Sequence, residues 1–360
     1  MHVVQIVGAR PQFIKLAPVS AELAARDHVE TIVHTGQHFD DAMSAVFFRE
    51  LGIPAPAVNL GVHALPHGAM TGRMLEGLER VLLERRPDAV VVYGDTDSTL
   101  AGALAAVKLG VPCAHVEAGL RSFNRAMPEE LNRVLADAAS DLLLTPTDAG
   151  LANLAAEGLA GRACKVGDVM LDAFSRFGPA GDATGAVERL GLTRGGYVLA
   201  TVHRAGNTDD AVSLGALMAG LDDVARAGTP VVLPLHPRTR GALERSGARL
   251  QAVTPVPPAS YLEMLGLVRG ARAVATDSGG LQKEAYWAGK PCVTLRDETE
   301  WVETVACGAN VLVGADRGRI AEALARVDAQ ARAARFGLPF YGDGRAARAI
   351  VAAVEARLER

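Results

Sequence analysis

The 360-residue sequence carries few cysteines, Cys113, Cys164, Cys292 and Cys307, and none forms a CxxC pair or a Cys/His metal spacing. Each lies among apolar or small residues, so all four are expected as reduced core residues. No apolar run approaches the ~20 residues a membrane helix needs. The run in MHVVQIVGARPQF is too short for a signal peptide, which makes a cytoplasmic protein with no membrane partner the expectation. An excess of positive charge is also missing: 37 Lys and Arg stand against 41 Asp and Glu, a net charge of −4, which argues against a nucleic-acid partner. Any anionic ligand must be held by local groups. The first strand-to-helix turn, GARPQFIK, is neither GxGxxG nor a P-loop, which disfavours a nicotinamide enzyme or a P-loop NTPase. No HExxH or other ligand spacing accompanies the histidines, so neither metal nor cofactor is expected.

With 49% hydrophobic and 22% charged residues, the chain can bury a large core, and its length suits two domains. Short β-branched runs each precede a helical pattern: VVQIVG before Lys15 to Arg26, TIVHTG before Asp40 to Leu51, and AVVVYGD before Ser98 to Leu109. Strand then helix, repeated, predicts a parallel sheet. Met70, Met74, Leu78 and Val81/Leu82 fall at helical spacing and are assigned to core packing. A second series runs through YVLATVHR, VVLPLHP, RAVATDSGG and PCVTLRDETE. Between the two series, residues 174 to 196 are rich in Gly with a Pro and are expected to be a linker. The prediction is an α/β protein of two doubly wound, Rossmann-like domains facing a central cleft. Residues 1–170 form the N-terminal domain and 171–360 the C-terminal one, with the question left open whether the last helix crosses back.

In such sheets ligands bind outside the carboxyl ends of the strands. Asp95 and Glu117 close the runs AVVVYGD and CAHVEAG, and Glu129 opens the helix-like MPEELNR. Three carboxylates beside one cleft suit proton transfer. Each has a structural alternative: Asp95 as part of a helix cap, Glu129 as an acid in a first helical turn, Glu117 as an ion-pair partner of Arg121. Arg10 and Lys15 place two cations at a cleft-side turn. His203 and His236 end strand-like runs in the second half, near Arg238. Asp277-Ser278-Gly279-Gly280 follows a strand and opens a helix, so the N–H groups of Gly279 and Gly280 can meet a phosphate, unless Ser278 is simply an N-cap. Glu284, less than two turns on, is placed for a ribose diol.

In this order, GARPQFIKLAPV, TGQHFD, YGDTDST, HVEAGLRS, MPEELNR, the HR of TVHRAGN, LPLHP, TDSGGLQKEA, RDETEW and the GAN before VLVG resemble the non-hydrolysing UDP-N-acetylglucosamine 2-epimerases over nearly the whole chain. The resemblance implies the GT-B architecture, a UDP-sugar substrate, a homodimer, and reversible inversion at carbon 2 of UDP-N-acetylglucosamine, giving UDP-N-acetylmannosamine, by elimination and re-addition of UDP through a 2-acetamidoglucal. It implies Asp95, Glu117 and Glu129 as catalytic acids and bases and His203 as the essential histidine. Arg10 and Lys15 match its basic motif, Ser278, Gly279 and Glu284 its diphosphate and ribose contacts, and His236 and Arg238 lie near its nucleotide. Gln37-His38-Phe39-Asp40 and His203-Arg204-Ala205-Gly206 depart from the common bacterial form, so activation by a second UDP-N-acetylglucosamine is not expected. The short Arg121–Pro128 loop and Trp301 are similar to relatives acting on UDP-linked diacetamido uronic acids. A hydrolysing epimerase, a GT-B glycosyltransferase and a silent UDP-sugar-binding regulator are the competing readings.

Overall fold

The computed structural model describes residues 1–37 and 47–359, and most of the helix expected from Asp40 to Leu51 lies outside them. The chain divides into two compact units, Met1–Ser175 with Pro339–Arg360, and Arg176–Leu338. The first holds seven strands: β1 (His2–Val7), β2 (Val29–His34), β3 (Val58–Asn59), β4 (Ala89–Tyr93), β5 (Cys113–Val116), β6 (Leu142–Thr145) and β7 (Ala163–Lys165). They form one sheet in the order β3-β2-β1-β4-β5-β6-β7, every pair parallel. The second holds β8 (Val198–Thr201), β9 (Val231–Pro234), β10 (Thr254–Val256), β11 (Ala273–Thr276), β12 (Cys292–Thr294) and β13 (Asn310–Leu312), in the order β10-β9-β8-β11-β12-β13, again all parallel.

The apolar runs explain this layering. Helices cover both faces of a parallel sheet, so its strands are apolar at successive positions rather than alternately. In β8, Val198 and Ala200 join one core cluster and Leu199 the other. In the first unit the stripe Met70, Met74, Leu78, Val81 and Leu82 packs from the helix His67–Arg85 into the core around Val4, Ile6, Val90 and Val92. Burying each of those large side chains stabilises by about 1.5–3 kcal/mol.

Strand order reverses between β1 and β4 in the first sheet and between β8 and β11 in the second. Those switch points are where the loops diverge and leave room for a ligand.

Three expectations are corrected. The stretch 174–196 is largely helical: Val169–Ala183 forms one helix, with Pro179 inside it, and Ala186–Arg189 another. Gly181 serves packing, because a Cβ there would come within 2.8–2.9 Å of Leu265 and of the Leu262 carbonyl on the helix Tyr261–Gly270. Cys113 and Cys292 are buried, but Cys164 is exposed and Cys307 half-buried, so the cysteines are not all core residues; all four are free thiols. The first helix begins at Arg10, a turn and a half before Lys15, since Pro11 at its start presets the helical φ.

Candidate active site

In the first unit the candidates follow the strands on either side of the switch point. Arg10 and Lys15 lie on the helix after β1, Asp95 in the turn after β4, and Glu117 directly after β5. The guanidinium of Arg10 sits over the Phe47 ring, 5.0 Å from its centroid. Burial pulls its pKa below the usual arginine range while Glu50 opposes the fall. Lys15 is buried and forms an ion pair with Glu117. Arg121 is therefore not the partner of Glu117: it binds Asp137 at 2.8 Å and Glu157 at 2.6 Å.

Glu117 has φ 74°, a left-handed backbone that a non-glycine residue rarely adopts. Such strain persists where surroundings impose it, and it clusters at functional sites. Gly94 supplies the space, since a Cβ there would lie 3.1 Å from Lys15 Nζ and 3.2 Å from Glu117 Oε2; its own φ is 65°.

Asp95 is held by the helix Pro128–Ala139, whose Arg133 pairs with its carboxylate and whose Asn132 donates to its carbonyl at 3.1 Å. Thr96, not Asp95, occupies the N-cap of the next helix. Glu129 is half-buried in the first turn of Pro128–Ala139, and among the described residues its carboxylate has no ion pair. The first-turn reading of Glu129 describes where it sits. Its neighbour Glu130 is instead fully engaged, accepting from Ser122 N and Oγ and from Phe123 N, each at 2.9 Å, and pairing with Arg133 at 2.8 Å. The three candidate carboxylates thus differ: one faces a lysine, one an arginine, one neither.

Gln12, absent from the candidate list, ties the turns after β1 and β4. Its Oε1 accepts from Gly8 N and Ala9 N, and its Nε2 donates to the Tyr93 carbonyl at 2.8 Å and to Thr99 Oγ1 at 3.0 Å.

In the second unit His203 follows β8, His236 and Arg238 follow β9, and Ser278, Gly279, Gly280 and Glu284 follow β11. The rings of His203 and His236 stand 5.7 Å apart. His236 caps the helix Pro237–Ser246, its Nδ1 accepting from Arg238 N, and Arg238 pairs with Asp209 at 3.0 Å. Asp277, also missed, organises the switch point: fully buried, it accepts from His203 N, Arg204 N and Asn207 Nδ2, with His203 Nδ1 at 3.3 Å. The signal was available, since a carboxylate at the end of AVAT needs partners as Glu117 does.

Ser278 is the N-cap of the helix Gly279–Trp287, its Oγ accepting from Leu281 N at 3.5 Å. Capping and anion binding are compatible there, because the first N–H groups of any helix lack intrahelical partners and lie at its positive end. A Cβ on Gly279 would lie 3.3 Å from Trp301 Nε1, 3.8 Å from Glu300 Oε2 and 3.9 Å from Arg204 Nη2. Burial would raise the Glu300 carboxyl, but Arg296 and Arg204 hold it below the usual carboxylate range. Lys283 lies buried over the Trp301 ring at 3.9 Å, and Glu284 is buried in the same helix. Among the described residues no three His, Cys, Asp or Glu side chains are grouped to hold a metal ion, and no helix is long and apolar enough to cross a membrane.

The UDP-N-acetylglucosamine 2-epimerase family matches residues 21–355. The chain is 54% identical over 327 residues to the UDP-2,3-diacetamido-2,3-dideoxy-D-glucuronate 2-epimerase of Pseudomonas aeruginosa, covering 89% of this chain and 91% of that one. It is 40% identical over 332 residues to the UDP-N-acetylglucosamine 2-epimerase of Methanocaldococcus jannaschii, covering 89% and 90%. The crystal structure of the M. jannaschii UDP-GlcNAc 2-epimerase in complex with UDP-GlcNAc and UDP superposes with a TM-score of 0.92 at 37% identity, over 99% of this chain and 100% of that one. A carboxylate-bearing parallel sheet, a second sheet with a capped helix at its switch point, and these likenesses agree: the chain belongs to the UDP-N-acetylglucosamine 2-epimerase family.

Proposed function

We propose that this isomerase inverts carbon 2 of a UDP-linked 2-acetamido sugar, and that its sugar is a 2,3-diacetamido-2,3-dideoxyglucuronic acid. The choice of sugar is carried by the 54% identity to the P. aeruginosa enzyme of that specificity. The proton at carbon 2 is removed as the bond from carbon 1 to the UDP oxygen breaks, leaving the glycal and UDP. A proton then enters carbon 2 from the other face as UDP adds back to carbon 1. Asp95, Glu117 and Glu129 serve as the acids and bases, which the ordinary contribution of general acid–base catalysis, about 10²–10⁴-fold, makes worthwhile. Arg10, Lys15, His203, His236 and Arg238 stabilise the departing diphosphate. Ser278 with the N–H groups of Gly279 and Gly280 receives the phosphates, and Glu284 the ribose. A cytoplasmic homodimer acting without cofactor or metal completes the reading, on the strength of family membership.

UDP-N-acetylglucosamine is the second reading, favoured by the likeness to the M. jannaschii enzyme. Proton NMR in deuterated buffer, with each UDP-sugar supplied separately and no metal or acceptor, tests both. Loss of the carbon 2 proton with a new UDP-sugar from the diacetamido uronate alone is the expected result. The same change from UDP-N-acetylglucosamine alone moves the assignment to the second reading. Free UDP with a free sugar would make the protein a hydrolase, and no exchange from either would end the epimerase reading.

A further inference from the structure

Asp95 and Glu117 sit on separate turns, and one buried histidine touches the framework of both. His115, in β5, has no exposed surface. Its Nε2 lies 2.6 Å from the carbonyl of Gly94, the residue before Asp95, and its Nδ1 lies 2.7 Å from Asp137 Oδ1. A carbonyl only accepts, so Nε2 donates. Burial would raise the Asp137 carboxyl, but His115 and Arg121 outweigh it and hold it below the usual range. A carboxylate that also accepts from Gly119 N and pairs with Arg121 is an acceptor toward His115 too, so Nδ1 donates as well. The other oxygen of Asp137 accepts from Gly119 N at 3.0 Å and pairs with Arg121 at 2.8 Å. Arg121 in turn donates to the Leu120 carbonyl at 2.7 Å and grips Glu157 with two bonds of 2.7 and 2.6 Å. One carboxylate therefore binds the turn 117–121 at Gly119 and Arg121, and through His115 it binds the turn at 94–95.

Buried ions are expensive, and replacing them by apolar residues of the same volume often stabilises a protein. What an apolar filling cannot do is fix two loops at the atoms beside their carboxylates, including one loop whose Glu117 backbone is strained. We propose that His115, with Asp137 and Arg121, is a positioning relay that sets the geometry between the Asp95 and Glu117 turns without touching the substrate. The proposal rests on the reading that these carboxylates carry the proton transfers.

The variants H115Q and D137N, and the double variant, test it by exchange at carbon 2, UDP affinity by calorimetry, and thermal melting. A slackened acid–base geometry should lower kcat about 100-fold while KM and UDP affinity stay within about threefold. Because the residues act as a unit, the double variant should be no slower than the slower single one. Independently of activity, protein with 15N-labelled histidine should show both ring N–H protons of His115, and D137N should lose the Nδ1 one. A His115 ring with one N–H proton, full kcat in both variants, or kcat and UDP affinity falling together with melting temperature overturns the relay. A wild type with both ring protons that exchanges neither UDP-sugar overturns the functional reading beneath it, and is told apart by that result.

Discussion

The two units hold their functional loops by different means. The first pairs charge with charge, the cation buried each time: Lys15 with Glu117, Arg133 with Asp95 and Glu130, Arg121 with Asp137. The second has a charge pair too, Arg296 with Glu300, but relies mainly on backbone: Asp277 gathers the N–H groups of His203 and Arg204, and the helix from Gly279 begins with its first N–H groups outside any intrahelical bond. Groups that exchange protons need partners that tune and orient a carboxylate, whereas a phosphate is met well by fixed dipoles that never titrate. On the proposed function, the contrast sets paired charges around the carboxylates that would move protons, and fixed peptide groups, with cations beside them, where the diphosphate would rest.

The sharpest way to break the contrast is one substitution in each unit. E117Q should cut exchange at carbon 2 by about 10³-fold, the mid-range of a lost general acid or base, while UDP binds as before. Exchange at the wild-type rate would remove Glu117 from the chemistry. S278Y should do the reverse, weakening UDP binding about tenfold, or 1.4 kcal/mol, in calorimetry; unchanged affinity would place the phosphates elsewhere. G94A tests the crowding that lets Lys15 meet Glu117. Forcing a Cβ into a left-handed turn costs about 1–2 kcal/mol, to be read from urea unfolding, and a variant as stable as the wild type would mean that the turn relaxes freely.

The smallest effect concerns acid. Burial would raise the Glu130 carboxyl, but the Ser122 and Phe123 donors and Arg133 bring it below its ordinary value. A folded value below the unfolded one stabilises fully above the ordinary glutamate pKa of about 4.3, and that gain is lost as pH falls through the depressed folded value. E130Q should therefore flatten the decline of unfolding free energy with falling pH in that window. An unchanged slope would show that other carboxylates carry it.

The strands that read clearly from sequence were the long apolar ones, such as AVVVY and CAHV. The strands β3, β7, β10 and β13 span only two or three residues each, too few for a periodic signal, and pairing with neighbours decides them; β12 is as short but sits in the legible apolar run CVTL. The false linker failed for a physical reason: glycine that lets two helix backbones approach has the same composition as glycine that frees a loop. Asp95 and Glu117 stand out in the sequence as candidates because a carboxylate at the end of an apolar strand is costly without purpose. Lys15, the partner of Glu117, stood among the candidates too, but Arg133, the partner of Asp95, and its neighbours on the same helix did not. Glu130, Arg133 and Asp137 recur at i, i+3 and i+7, the spacing of a core stripe, on a helix where the large apolar Leu131 and Leu135 are exposed. Sequence patterning assigns such a helix the wrong way round, because it assumes that the buried face is the apolar one.

The return of residues 339–360 to the first unit has a consequence for synthesis. Asp168 N donates to the Tyr341 carbonyl, and the Asp172 carboxylate accepts from Ala346 N at 3.0 Å and Ala347 N at 2.8 Å, capping the helix Ala346–Leu358. Arg26 and His28 reach Glu355 of that helix at 2.7 Å each. On the ribosome, where domains fold as units while the chain emerges, the second unit is continuous and closes once Leu338 is out. The first unit, though begun earlier, stays open beside its helix Arg10–Ala25 and β6 until the helix Ala346–Leu358 appears, so the half bearing the candidate carboxylates is finished after the other.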